Sequence, residues 1–197
     1  MSTAAREPAA QTESPGLGAV LGLDPQEAGL FAGLLAEALD GLGMDGSRVV
    51  AGLQAGRSVG DSLALPAGVA DLLYARAHHW FAAGRYDRAE DLFRTLCVVA
   101  PTRTDHWLGF GICLRLRGQG DEARRAFEAA AMTAPDSLAV EFHRLELALA
   151  EGRAGDAARH LESFDARVTD ETPAEMRAEV ERFRLALALR RREGVPP

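Results

Sequence analysis

Residues 71–135 read DLLYARAHHWFAAGRYDRAEDLFRTLCVVAPTRTDHWLGFGICLRLRGQGDEARRAFEAAAMTAP and contain one pattern twice. The first copy is Ala77, Trp80, Gly84, Tyr86, Ala89, Phe93 and Pro101; the second, 34 residues on, is Gly111, Leu114, Gly118, Gly120, Ala123, Phe127 and Pro135. The small residues at 77, 89, 111 and 123 let two helices approach closely, and the large ones at 80, 93, 114 and 127 fill the space beside them. The glycines permit a tight turn, and each Pro ends a helix by removing an N–H donor. The copies differ in type at one position, where Gly120 stands for Tyr86.

A 34-residue period with this order of small, large, turn and Pro positions is the signature of the tetratricopeptide repeat, a helix–turn–helix unit. It predicts helices 1A and 1B at about 66–83 and 87–99, and 2A and 2B at about 104–117 and 121–133. Asp87 and Asp121 stand where an N-cap carboxylate accepts from free helix N–H groups. A weaker third copy has Ala148, Gly152, Ala157 and Leu161, with Leu145 at a small position and Thr169 for Pro; it predicts 3A at about 137–150 and 3B at about 154–166. Three repeats, at about 70–101, 104–135 and 138–169, are about the minimum that stacks into a stable core. Thr172-Pro173-Ala174-Glu175 reads as a capping box before a last helix over 173–192. Met176, Val180, Phe183 and Leu187 form its apolar stripe, and Arg177, Arg182, Arg184, Arg190 and Arg191 its polar face, as a helix that caps a repeat stack needs. The expected class is all-α: three tetratricopeptide repeats in a right-handed superhelix with an N-terminal helix and a C-terminal capping helix.

Three segments precede or make up this domain: a disordered tail over 1–16, a helical extension and linker over 17–65, and the repeat domain over 66–197. Asp24-Pro25-Gln26-Glu27 is a helix start with a capping box. Leu30, Phe31, Leu34, Leu35, Ala38, Leu39 and Leu42 then recur at helical spacing, and Gly41 and Gly43 end the run. So apolar a stripe must be covered. Either it packs on the repeats, or Leu30, Phe31, Leu34, Leu35 and Leu39 meet a second copy of the chain. A short helix is expected over 47–55, a linker over 56–65, and Pro66 is expected to open helix 1A.

The chain has 197 residues, 47% of them hydrophobic, and a net charge of −7. That balance offers nothing to a nucleic acid, whose binders show a basic face. Cys97 and Cys113 sit among apolar neighbours without metal or disulfide spacing and read as buried thiols. The N-terminus has no apolar stretch resembling a signal peptide, and no run is long enough to span a bilayer, so the expected compartment is the cytoplasm. None of His78, His79, His106, His143 and His160 stands at metal-ligand spacing, and no phosphate loop or nucleophile motif occurs. The reading is of a binding protein without catalytic residues, metal or cofactor.

In stacked helical hairpins the A helices line the concave side. Helical spacing puts Tyr74, His78 and Phe81 of helix 1A together there, beside Asp71 and Ala82, with Tyr86 at the turn. The same offsets give Leu108, Ile112 and Arg115 in 2A, and Phe142, Glu146 and Leu149 in 3A. A groove so aromatic and so poor in charge suits an extended apolar peptide; the alternative is that these residues are covered by the N-terminal helix or by one another. Tyr74, His78, Leu108 and Ile112 stand where repeat modules for acidic C-terminal tails carry cations, so that class of ligand is excluded.

The runs Leu73-Tyr74-Ala75-Arg76-Ala77, Gly84 to Ala89, Phe93 to Val99, Leu108-Gly109-Phe110-Gly111 and Phe142-His143 with Gly152 resemble the class II chaperones of bacterial type III secretion systems, the SycD/LcrH/IpgC group. The resemblance covers about residues 66–168. It implies three repeats whose concave groove holds a short extended segment of hydrophobic translocator proteins, keeping them soluble and export-competent in the bacterial cytoplasm. By position, Tyr74, Phe81 and Tyr86 match aromatic groove residues of that group. His78 stands where an aromatic is common, and Gly120 departs by removing a side chain, which widens the groove. Dimerisation through N-terminal helices, known in the group, fits the stripe over 25–42. Two readings compete: a general interaction scaffold without an export client, and a regulatory subunit whose N-terminal helix masks the groove.

Overall fold

The computed structural model describes residues 22–192, so the tail expected over 1–16 lies outside the described residues. Among the described residues there are ten helices and no strand. They fall into two compact units that divide between Pro66 and Ala67.

The first unit holds α1 (Pro25–Gly41), α2 (Gly46–Gln54) and α3 (Val59–Ser62). Asp24 caps α1 by accepting from the N–H groups of Gln26 and Glu27, and Glu27 reaches back to the Asp24 N–H, so the capping box forms as read. Helix α2 packs with buried Val49 and Val50, and Asp40 of α1 accepts from the Gly46 N–H at 2.8 Å. The linker expected over 56–65 instead contains α3. Ser58 accepts from the Asp61 N–H at 3.1 Å and donates to the Asp61 carboxylate at 2.7 Å, so its cap stabilises a turn too short to show an apolar period.

The second unit is a run of antiparallel pairs. Repeat 1 is α4 (Val69–Ala82) and α5 (Tyr86–Val99); repeat 2 is α6 (Thr104–Leu116) and α7 (Gly120–Thr133); repeat 3 is α8 (Leu138–Ala150) and α9 (Ala154–Asp165). Helix α10 (Ala174–Arg192) follows. The turns inside the pairs pass through Gly84, Gly118 and Gly152 at φ +70°, +76° and +74°, a backbone region that costs other residues energy. Three starts differ from expectation. Helix α4 begins at Val69 rather than Pro66, because Gly68 turns left-handed at φ +88° just before it. Helices α5 and α7 begin one residue early, and Arg85 and Gln119, not Asp87 and Asp121, occupy the N-cap without a side-chain bond. Asp87 and Asp121 lie in the first turn, where a carboxylate favours the helix dipole, and pair with Arg85 and Arg124.

Small-to-large contact builds the core. Ala77, Ala89, Phe93 and Leu96 are buried in repeat 1, and Leu114, Ala123, Ala126, Phe127 and Ala130 in repeat 2. Helix α6 carries two glycines that rings press against. A methyl group on Gly109 would run into the Phe93 ring of the repeat before, and one on Gly111 would lie 2.5 Å from the Phe127 ring of its own repeat. Glu90 of α5 is fully buried and pairs with Arg94 and with Arg117, just past α6, so an ion pair also joins repeats 1 and 2. Trp107 and His106 donate to the carbonyls of Pro101 and Ala100, at 2.7 and 3.0 Å, and so pin the connection into α6. Cys97 and Cys113 are buried free thiols, both pushed up to about 12 by burial, which leaves them inert.

Helix α10 closes the stack as its stripe predicts. Val180 and Leu187 are buried in the third core cluster with Met176 and Phe183 against them, and Arg184 grips Asp165 of α9 with two bonds of 2.9 and 3.0 Å. Thr172 does not sit free ahead of the helix; its hydroxyl accepts from the Thr169 N–H at 3.0 Å.

Gly111→Ala is the sharpest test of this packing. The change gains about 1 kcal/mol of helix propensity, yet it overpacks the Phe127 ring and should cost about 1–3 kcal/mol net. A lower thermal midpoint is the expected result, and a raised one would contradict the close approach.

Candidate functional site

The residues offset along the A helices meet in pairs. In repeat 1 the Tyr74 and His78 rings lie 4.6 Å apart, and Phe81 meets Tyr86 across the A–B turn at 5.3 Å. Tyr74 also touches Phe93 at 5.9 Å and His106 at 5.7 Å, so it belongs to the core as well as to the helix face. Burial and the charge of Asp105 raise its phenol above the ordinary value against the pull of Arg103, which keeps the hydroxyl protonated. His78 is exposed.

Repeats 2 and 3 do not present all of the residues that the offsets select. Leu108 and Leu149 are buried, because the neighbouring repeat covers one and the end of the stack the other; they support the face rather than present it. Ile112 is half-buried, and Phe142 packs on Phe183 at 5.7 Å. Between them lies charge. Arg115 of α6 pairs with Glu146 of α8 at 3.0 Å, and His143 approaches the same carboxylate oxygen at 3.2 Å. His143 in turn stacks on Phe127 at 5.8 Å and 12°. The offsets place Arg115 and Glu146 on one face but carry no sign that they meet; His143, 34 residues after Gly109, is the position where the previous repeat's Phe lands.

A second polar knot lies at repeat 3. Glu141 is buried and bonds to His160 at 2.9 Å and Arg144 at 3.2 Å. Burial raises the Glu141 carboxyl, but the His160 bond and the charges of Arg144, His160 and Arg167 outweigh it and hold it below the usual range. Glu146 shows the same balance: burial raises it, and His143 and Arg115 lower it further. Among the described residues no group of three or more His, Cys, Asp or Glu could hold a metal ion, and no helix is long and apolar enough to cross a membrane.

In the first unit no residue of α1 is buried. Leu30 and Leu34 are 65% and 68% exposed, Phe31 is exposed, and Leu35 and Leu39 are half-buried.

No protein-family model matches the chain. The "Low calcium response locus protein H" of Yersinia pestis is 28% identical over 100 residues, covering 51% of this chain and 60% of its own length. The "Chaperone protein SicA" of Salmonella dublin is 26% identical over 117 residues, 59% of this chain and 71% of its own length. Among solved structures, the Yersinia enterocolitica type III secretion chaperone SycD, in complex with a peptide of the translocator YopD, matches with a TM-score of 0.61 and 23% identity over 64% of this chain and 98% of that one. The chain thus spans about 60% of the length of the Yersinia pestis relative, and the structural likeness shows the fold.

Because both carboxyls are depressed in the folded chain, their stabilisation is present above the unfolded value of about 4.3 and is lost as pH falls through the folded values. Thermal midpoints should therefore fall below about pH 4. Glu146→Gln should lower the neutral-pH stability by about 0.5–1 kcal/mol and flatten that fall; an unchanged acid limb would show that the Arg115–Glu146–His143 contact contributes nothing. In sequence this chain is similar to the Low calcium response locus protein H and to the chaperone protein SicA, and in fold it is similar to SycD.

Proposed function

We propose that this chain is a type III secretion chaperone that binds an extended apolar segment of hydrophobic translocator proteins in the bacterial cytoplasm. The observation that carries the reading is the set of A-helix faces. Tyr74–His78 and Phe81–Tyr86 offer paired rings, and Ile112 and Phe142 continue the face on the next repeats. The relative whose fold this chain shares holds a translocator peptide. An extended segment meets such a surface with alternate side chains, while the Arg115–Glu146–His143 group supplies polar partners for its backbone. Tyr74, His78, Phe81, Tyr86, Ile112, Arg115, Phe142 and Glu146 form the binding surface, and Leu108 and Leu149 shape it from beneath.

The action is mass action rather than catalysis. A pore-forming client exposes apolar segments that aggregate; binding one lowers the free population by an amount set by affinity and concentration. No nucleotide is consumed, and release is left to the export machinery. The apolar stripe of α1, with exposed Leu30, Phe31 and Leu34 and half-buried Leu35 and Leu39, serves as the contact with a second copy of the chain, since so large an apolar stripe is rarely left to water.

Affinity isolation of the full chain from its native cytoplasm should retain a near-stoichiometric partner with long apolar segments. Phe81→Ala combined with Ile112→Ala should weaken that capture at least tenfold, about 1.4 kcal/mol, without unfolding the chain. Capture of polar proteins only, or capture that survives the double change, would replace the chaperone by a general scaffold. Leu30→Glu with Leu34→Glu should convert a dimer to a monomer in light scattering; an unchanged mass would remove α1 as the contact.

A further inference from the structure

Repeats 1 and 2 differ at one place where their backbones agree. Gly84 and Gly118 turn the chain at φ +70° and +76°, and α5 and α7 begin at the equivalent residues Tyr86 and Gly120. In repeat 1 this corner is filled by the Phe81 and Tyr86 rings, 5.3 Å apart. In repeat 2 the two positions hold Arg115 and Gly120. No ring fills the corner; the Glu151 carboxylate lies against Gly120, and a cavity of about 340 Å³ opens there, lined by Arg115, Gly118, Gly120, Asp121, Leu147, Ala150 and Glu151. That is the low end of the size range of ligand pockets, about 300–1,000 Å³.

We propose that this cavity is a side-chain pocket for a tyrosine of the client segment, which supplies in trans the ring that Gly120 lacks. The source of the side chain rests on the chaperone reading; the chemistry of the pocket does not. The Arg115 side chain is four-fifths buried, and its guanidinium is held at its edge by Glu146, with its Nε buried and without a hydrogen-bond partner. Held so, its plane offers stacking rather than a free charge. The unit already uses that contact: Arg76 and Arg88 lie over Trp80 at 4.6 and 4.7 Å, and Arg94 over Phe110 at 5.6 Å. Leu147 and Ala150 add apolar wall. The carboxylate of Glu151, positioned by Arg124 and Arg153, lines the same cavity and can accept from a phenol hydroxyl.

Gly120 also makes the pocket testable without breaking the fold. Its φ is not left-handed, and a methyl group there would run into Oε1 of Glu151, the far end of a side chain that swings aside only by giving up its contacts with Arg124 and Arg153. Gly120→Tyr therefore rebuilds the corner of repeat 1 and closes the pocket.

The probe is p-cresol, the tyrosine side chain alone, titrated into the full-length protein with backbone and Arg side-chain resonances followed by NMR. A ligand of that size binds with a Kd on the order of millimolar. Shifts should concentrate on Gly118, Gly120, Leu147, Ala150 and the Arg115 Nε–H, and Gly120→Tyr, shown folded by circular dichroism, should weaken them at least tenfold. Toluene should bind several-fold more weakly. Shifts absent from this corner in the wild-type protein, or unchanged by Gly120→Tyr, would overturn the pocket, and equal binding of toluene would overturn its assignment to tyrosine. Localised p-cresol binding in a protein that captures no apolar client would leave the pocket standing and remove the chaperone reading; client capture without any p-cresol shift would remove the pocket alone.

Discussion

The second unit depends on how thin helix α6 is. Gly109 and Gly111 are two residues apart, so they face nearly opposite sides of the helix. One receives Phe93 from the repeat before and the other Phe127 from its own partner helix. Each glycine costs helix propensity, about 1 kcal/mol relative to Ala, and each is offset by a ring brought into contact on a side where a methyl group would hold it away. Phe127 continues the chain of contacts to His143 of repeat 3. One helix without bulk at two points therefore fixes both of its neighbours, and buried Glu90, bridging Arg94 and Arg117, adds a directional tie to the same joint.

That geometry decides what the surface can be. When the B-helix rings insert between successive A helices, the A helices stand side by side, with residues 74, 78 and 81 of α4, 112 and 115 of α6, and 142 and 146 of α8 at matching helical offsets. The face inherits whatever residues occupy those positions: rings at 74, 78 and 81, an aliphatic at 112, and then a charge pair at 115 and 146. It is a graded surface, apolar and aromatic at repeat 1 and polar where repeats 2 and 3 meet. On the reading proposed above, a bound segment would need a matching gradient, which would give it direction as well as affinity.

The repeat architecture was legible because period, small positions and turn glycines are local signals that agree with one another. Helix α10 was legible for the same reason, through Met176, Val180, Phe183 and Leu187. What escaped depends on tertiary contact. Leu108 and Leu149 share helical offsets with exposed residues, yet the adjacent repeat or the end of the stack covers them. Arg115 and Glu146 are 31 residues apart and meet only because α6 and α8 do. Asp87 and Asp121 look like caps in sequence, but the left-handed glycines start the helices one residue earlier. The short helix α3 has too few residues to display a period, and only its Ser58–Asp61 cap marks it.

The central claim is that the A-helix face, and not the outer B-helix face, holds the client. A photoreactive residue placed at exposed position 78 on α4, and separately at exposed position 125 on α7, tests it in cells that make the protein. The account predicts an efficient cross-link to an apolar, translocator-like protein from position 78 and none from position 125. A cross-link from position 125 with none from position 78 would contradict it.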